Sequence, residues 1–573
     1  MNYKEKYDFW LNSIIIDENT KKELMAINDE KDIEDRFYKD LEFGTGGLRG
    51  IIGAGSNRIN NYTVGKATEG LARYLKKSYK SDISVSIAYD SRNKSEDFAK
   101  AATRVLCASG IKVNLFESLR PTPMLSFTTR YLKSKAGIVI TASHNPKEYN
   151  GYKVYGEDGG QITDKVAKEI ITEINNIKDF SEIEFMDLSE AKRKNLLNII
   201  SEDIDREYIK KVKSLTIRKD LVKDKAKELK VVYTPIHGSG NIPVRRVLSE
   251  LGYENVIAVK EQENPDGNFP TVSYPNPENA EVFNIALKSY SNIEPDLIFG
   301  TDPDCDRIGV VVKDKKGEYK VLTGNQTGVL LSEYMISSLK EEGKLPSDGV
   351  IIKTIVTSDM VKPIAKKFGV EVLEVLTGFK YIGEKIKEFK EDNSKSYIFG
   401  FEESYGYLAG DFVRDKDAVI ASMLICEMAL YYKNKGMNLY EALMVLYKKY
   451  GFYKEDLISM TLKGKEGQQK IDTIMERLRH SMKANINGVA IRKKYDYKLK
   501  IEKDLIDINE KTIELPKSNV LKFLMEDNSW FVVRPSGTEP KIKMYLSVAG
   551  KSMENCEDKL EKLKDSVMSL IDC

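Results

Sequence analysis

Cysteine is scarce in this chain and never paired along it. Cys107, Cys305, Cys426, Cys556 and Cys573 lie far apart and form no CxxC. That argues against a disulfide framework or a cysteine-based zinc site and fits a reducing compartment. An excess of either charge is also missing, with 90 Lys plus Arg against 88 Asp plus Glu and a formal charge of +2. So close a balance gives no reason to expect a nucleic-acid or membrane partner, and any anion must be held by a local cluster. No hydrophobic run is long enough to span a bilayer. The longest, Ala418 to Tyr432, is interrupted by Glu427 and reads as a buried helix. The opening MNYKEKYDFWLNS has no apolar h-region, so it does not read as a secretory signal, and a cytoplasmic protein is expected.

At 573 residues, with 41% hydrophobic and 31% charged residues, the chain is too long for one core, and three or four domains are expected. Short apolar runs suited to buried parallel strands recur: Ser84-Val-Ser-Ile-Ala-Tyr, Ala136-Gly-Ile-Val-Ile-Thr, Lys230-Val-Val-Tyr, Asp296-Leu-Ile-Phe-Gly and Gly349-Val-Ile-Ile-Lys-Thr. Each leads through a turn into a helical pattern, the alternation of α/β units with a parallel or mixed sheet. These units fall into domains at 1–205, with a helical extension over its first 35 residues, then 206–320 and 321–450. The rest, 451–573, reads as a linker and a smaller α+β domain: Trp530-Phe-Val-Val-Arg, a turn, Lys541-Ile-Lys-Met-Tyr-Leu-Ser-Val, and an amphipathic helix. Two charged, helix-prone stretches, Phe180 to Lys213 and Gly464 to Lys500, are candidate linkers or boundary elements.

Four loops carry candidate chemistry. In Thr141-Ala-Ser-His-Asn-Pro, Ser143 follows a buried strand on a turn made by Asn145-Pro146, with His144, Lys147 and Lys153 close by. A hydroxyl that accepts and returns a phosphoryl group needs donors and positive charge around it. The same segment also suits a turn serine that only bonds its own backbone. In Gly300-Thr-Asp-Pro-Asp-Cys-Asp-Arg, an extended backbone would aim Asp302, Asp304 and Asp306 at one point. Three hard carboxylates suit magnesium, their repulsion argues for a cation, and their spacing does not separate magnesium from calcium. Arg307 can offset the cluster or reach a phosphate. In Gly400-Phe-Glu-Glu-Ser-Tyr-Gly-Tyr, two carboxylates and a hydroxyl among aromatics suit a polyol, although a solvated turn has the same composition. In Arg534-Pro-Ser-Gly-Thr-Glu-Pro-Lys, a guanidinium, two hydroxyls and backbone N–H groups are the components of a phosphate nest.

Taken together and in order, TASHNP, DPDCDR, FEES and RPSGTEP resemble the four signature loops of the α-D-phosphohexomutase family, which includes phosphoglucomutases and phosphomannomutases. The match runs from about residue 40 to the end. The resemblance implies three related α/β domains with mixed sheets and a smaller C-terminal α+β domain around a central cleft. It implies that Ser143 carries the phosphate, and that Asp302, Asp304, Asp306 and a phosphoserine oxygen hold one Mg2+. It assigns Glu402 and Ser404 to the sugar hydroxyls, and Arg534, Ser536, Gly537 and Thr538 to the phosphate not being transferred. Gly46-Gly-Leu-Arg49-Gly resembles the motif whose arginine faces the phosphoserine. Thr377-Gly378-Phe-Lys380 resembles a sugar-specificity loop, Lys416 in Arg414-Asp-Lys-Asp a substrate-contacting lysine, and Lys153 the position often proposed as general acid/base, beside His144.

One departure stands out: Phe401 replaces the glycine of many members, and FEESYGY looks most like the longer branch that also holds phosphopentomutases and sugar-bisphosphate synthases. The implied reaction interconverts glucose 1-phosphate and glucose 6-phosphate through glucose 1,6-bisphosphate, which also serves as activator. The enzyme would be a monomer or homodimer acting on a small phosphosugar. Mannose and pentose phosphates are alternative substrates for the same chemistry, and a sugar-bisphosphate synthase is the remaining alternative. Two rivals are an aspartyl phosphatase of the haloacid dehalogenase type, with Asp302 as nucleophile, and a silent phosphosugar-binding protein. The first leaves SHNP and RPSGT unexplained; phosphate on Ser143 separates the second from a working mutase.

Overall fold

The computed structural model describes residues 1–573 except 45, 463, 482–484, 537–540 and 573. Three mixed sheets and one antiparallel sheet follow one another along the chain. In the first, strands Ala136–Ile140, Ser84–Tyr89, Lys112–Phe116 and Leu197–Ile200 run parallel, and Tyr149–Gly156 and Gly47–Ile51 are added antiparallel at one edge. In the second, Leu297–Thr301, Val231–Thr234 and Val256–Ala258 are parallel and Ile308–Lys313 antiparallel. In the third, Glu371–Val375, Gly349–Thr354 and Ser396–Glu402 are parallel and Gly406–Ala409 antiparallel.

One connection recurs in all three. A buried parallel strand ends, turns, and returns as its own antiparallel neighbour: Ile140 to Tyr149, Thr301 to Ile308, Glu402 to Gly406. In the last sheet Trp530–Pro535 returns as Lys541–Gly550 in the same way. Each of the four loops sits on one of these returns, so a rigid ladder on both sides holds each short chemical segment.

The apolar run Ala418 to Tyr432 is the helix Ala418–Asn434, buried over all of that run. Asp417 caps it, accepting from the Ile420 N–H, and the Ala418 N–H donates to the Cys305 carbonyl, so the helix start supports the aspartate loop. The first residues form three helices, Tyr3–Asn12, Glu18–Met25 and Glu30–Phe37. Among the described residues, no helix is long and apolar enough to cross a membrane.

The two charged stretches are built into domains rather than strung between them. Leu197–Ile200 is an edge strand of the first sheet. Ile471, Ile474, Met475 and Leu478, on the helix Gly464–His480, enter the core of the C-terminal sheet, which Val489–Asp496 also joins. That domain docks on the third through Trp530, Val532 and Tyr545 against Ile355, Val356 and Leu376, and Lys522 Nζ donates to the Ile355 carbonyl at 2.8 Å.

Phe401 has a direct structural partner. It is fully buried, stacked on Phe399, and a Cβ at Gly328 would lie 2.1 Å from its ring. The aromatic residue in the third loop and the glycine on the helix Gly324–Glu341 fit one another. Gly328→Ala is expected to overpack this contact and cost about 1–3 kcal/mol, seen by calorimetry as a lower Tm. An unchanged Tm would mean that the ring moves aside freely.

Candidate active site

The Ser143 loop presents an unusual backbone. Ser143 lies in the left-handed region at φ 51°, which costs a residue with a Cβ roughly 1–2 kcal/mol. It is 3% exposed, in the cleft wall. Its N–H donates to Thr141 Oγ1 at 2.8 Å, and its hydroxyl donates to Asp302 Oδ2 at 2.6 Å and lies 3.1 Å from His144 Nδ1. Burial, with Arg307 and Arg49 nearby, pushes His144 well below the usual histidine range, so its ring is neutral at pH 7. Arg49, on the strand paired with the one carrying Lys153, donates to Asn145 Oδ1 at 3.3 Å.

The aspartate loop is not extended. Cys305 takes φ 51° and turns its thiol into the core, while the N–H groups of Asp306 and Arg307 donate to Asp302 Oδ1 at 3.1 and 3.0 Å. The turn still gathers the three carboxylates: one oxygen from each of Asp302, Asp304 and Asp306 lies within 4.8 Å of the others. Burial and the neighbouring carboxylates raise Asp302 and Asp306. Burial also acts on Asp304, but the Lys153 ammonium and the donors Lys153 and Thr122 outweigh it and hold Asp304 low. Asp304 Oδ1 and Asp306 Oδ1 are buried without a hydrogen-bond partner. Hard anionic oxygens, buried, crowded and with acceptor capacity to spare, fit a divalent cation.

Lysines bracket the cluster. Lys153 Nζ is 3.0 Å from Asp304 Oδ2 and 3.8 Å from Asp306, and Lys416 Nζ is 3.2 Å from both Asp306 and Asp415 and 4.0 Å from Glu402. Lys416 reaches this position across Gly406, where a Cβ would lie 2.2 Å from its Cδ. Arg307 Nη1 binds Glu278 Oε1 at 2.8 Å and the Ser404 carbonyl at 3.1 Å, joining the aspartate loop to the third loop.

A cleft of about 700 Å³ brings most of the expected residues together: Arg49, Ser143, His144, Lys153, Asp306, Arg307, Thr377, Gly378, Glu402, Ser404, Lys416 and Arg534. Asp302 and Asp304 are fully buried, each with an oxygen within 4.8 Å of one on Asp306. Lys380 does not line this cleft; its Nζ is 2.7 Å from Asp164 Oδ1 in the first domain. Ser536 follows Arg534, and its N–H donates to the Lys541 carbonyl at 2.7 Å. Gly537 and Thr538 lie outside the described residues.

The cleft also contains residues that no motif pointed to. Lys543, the register partner of Arg534, and Tyr545 face it from one strand. The alternation Lys541, Lys543, Tyr545 would have placed them there. Glu278 enters from an irregular segment with no such periodicity. By contrast Glu403, the second carboxylate of the third loop, does belong to a motif; it accepts from Thr354 and Thr357 at 3.1 and 3.3 Å, and burial with the Glu402 charge pushes its carboxyl up to about 7.

Comparison with known proteins agrees with this architecture. The family models for phosphoglucomutase/phosphomannomutase alpha/beta/alpha domains I, II and III match residues 40–180, 206–317 and 323–450, and that for the C-terminal domain matches 486–561. The phosphoglucomutase of Staphylococcus haemolyticus is 39% identical over 515 residues, 90% of this chain and 91% of the relative. That of Staphylococcus saprophyticus is 35% identical over 96% of this chain and 98% of its own. The solved structure of Paramecium parafusin, described as a phosphoglucomutase, superposes with a TM-score of 0.69 at 17% identity, covering 93% of this chain and 95% of that one. With all four domains matched in order and close relatives aligned over nearly their whole length, the chain belongs to the phosphoglucomutase/phosphomannomutase family.

Proposed function

We propose that this mutase interconverts glucose 1-phosphate and glucose 6-phosphate through phospho-Ser143 and a glucose 1,6-bisphosphate intermediate. The observation that carries the reading is the Ser143 hydroxyl 2.6 Å from Asp302, in one cleft with Arg534 of the last domain. The free hydroxyl oxygen of the sugar attacks phosphorus on phospho-Ser143, the P–Oγ bond breaks, and the hydroxyl proton leaves to a base. The neutral His144 ring and Lys153 flank the transferring group as candidates for that proton site. The bisphosphate then turns end for end, and its other phosphate returns to Ser143.

Asp302, Asp304 and Asp306 would hold magnesium, which when bound supplies positive charge against the moving phosphoryl group. Lys416 and Arg307 add fixed positive charge around it, and Lys153 adds its own whenever it holds a proton. Glu402 and Ser404, which line the cleft, would take sugar hydroxyls. Arg534 and Ser536, with Gly537 and Thr538, are assigned to the non-reacting phosphate. All these residues come from one chain, so a monomer suffices. The domain limits 1–205, 206–320, 321–450 and 451–573 are part of this reading, as is a reducing cytoplasmic setting, supported by Cys107, Cys305, Cys426 and Cys556 being buried and unpaired.

A coupled assay across glucose, mannose, glucosamine and ribose 1-phosphates tests the substrate. The highest kcat/KM is expected with glucose 1-phosphate, stimulated by added glucose 1,6-bisphosphate. A preference for ribose 1-phosphate would overturn the glucose assignment and leave the chemistry standing. Arg534→Ala removes a charge-assisted contact worth about 2–3 kcal/mol, or about thirty- to a hundredfold in kcat/KM, and should raise the dependence on added bisphosphate as the intermediate escapes. If both stay at parental values, the last loop is not part of the site.

A further inference from the structure

Arg92 belongs to none of the four loops and does not line the cleft, yet its guanidinium is aimed at the Ser143 loop. It is fully buried, on the turn after strand Ser84–Tyr89. Nε and Nη2 donate to the Ser143 carbonyl at 3.2 and 2.5 Å, Nη1 donates to the carbonyls of Pro146 and Tyr149 at 2.8 and 3.1 Å, and Nη2 also donates to that of Asn145. These contacts match the five donors of a guanidinium fork. The fork is itself fixed. Asp90 Oδ2 lies 3.5 Å from Nε, and Asp90 Oδ1 accepts from the Arg92 N–H and the Ser95 hydroxyl. On one face the Phe269 ring, from the second domain, lies 5.0 Å away. The same crossing is held by Asn93 Nδ2 donating to Asn268 Oδ1 at 3.0 Å.

A serine keeps φ near 51° only where its surroundings over-determine it. The double contact on the Ser143 carbonyl fixes the peptide plane beyond its Cα, and the contacts at 145, 146 and 149 fix the rest of the turn. Together they set the direction of Cα–Cβ, and so bring Oγ to 2.6 Å from Asp302. An ammonium cannot reproduce this, since its donors radiate from one point rather than from a planar fork.

We propose that Arg92 is a positioning residue for phosphoryl transfer: it holds the Ser143 loop so that Oγ faces the aspartate loop, and Phe269 carries that register across the first two domains. This rests on Ser143 as the phosphoryl carrier. Misplacing a reacting atom by about 1 Å costs on the order of a hundredfold. Arg92→Lys should therefore lower kcat about a hundredfold. KM for glucose 1-phosphate should stay within about threefold, because the substrate is gripped elsewhere. Phosphorylation of Ser143 by glucose 1,6-bisphosphate should slow in the same proportion.

The experiment compares the full-length parent, Arg92→Lys and Phe269→Leu for Tm, kcat, KM and the rate of phosphate uptake at Ser143. A purely structural role would lower Tm and leave kcat per folded molecule unchanged, and that result overturns the proposal. Should Arg92→Lys not fold, Phe269→Leu decides, because leucine keeps the apolar contact and loses the ring face. A kcat at least about threefold lower at unchanged KM supports the proposal, and a parental kcat overturns it. If the parent itself takes up no phosphate on Ser143, the proposed function has failed rather than the role of Arg92.

Discussion

Ser143→Ala is expected to remove steady-state mutase activity, by about four orders of magnitude or more, because no other group on the loop can carry the phosphoryl between the two halves of the reaction. His144, 3.1 Å away, stays in place in the variant and is assigned as a candidate proton site, not as the carrier. The fold should survive. Alanine keeps the backbone, and the lost hydroxyl gives up one donor to Asp302, a change on the order of 1 kcal/mol in a chain held by extensive buried cores. Far-UV circular dichroism and Tm close to the parent, with turnover at background, are the expected pair of results. Near-normal turnover would contradict the mechanism.

The second large effect concerns the aspartates. Treatment with EDTA should stop turnover and added magnesium should restore it. Asp304→Asn should cost about a thousandfold in kcat/KM and raise the magnesium concentration needed for half-maximal rate. The substitution is nearly isosteric, so packing is preserved. What changes is charge: Lys153, now 3.0 Å from Asp304, would face a neutral amide, and the cluster would lose the carboxylate held most firmly ionised. A chelated enzyme that turns over at full rate would mean that the three carboxylates have another task.

Much of this site is legible in the sequence because each loop is short and local. Ser143, the three aspartates, Glu402 with Ser404, and Arg534 each sit where an apolar run ends, and a buried strand is the easiest element to read. What is not legible depends on elements meeting from far apart. Arg92 is 51 positions from Ser143 and acts through carbonyls, which carry no side-chain signal. Glu278 reaches Arg307 from an irregular segment. Lys543 and Tyr545 were readable from strand alternation, but only once Arg534 had been assigned a pocket.

Lys380 illustrates the converse: its motif places it at a specificity loop, while its ammonium lies on Asp164 of another domain. In the fold, two of the strands that escape detection are edges. Asn509–Thr512 is exposed throughout, and Leu197–Ile200 lies in a stretch that reads as helix-prone because charged residues surround it. Paired on one side only, such strands need no apolar alternation.

The mechanism requires that one phosphoryl group pass through Ser143. Enzyme incubated briefly with radiolabelled glucose 1,6-bisphosphate, digested and mapped, should carry label on the peptide containing Ser143, at one phosphate per chain. That label should then chase into hexose phosphate on addition of unlabelled glucose 1-phosphate, at a rate no slower than kcat. Label that stays on the protein through many turnovers, or that maps to Asp302 or elsewhere, would contradict the account.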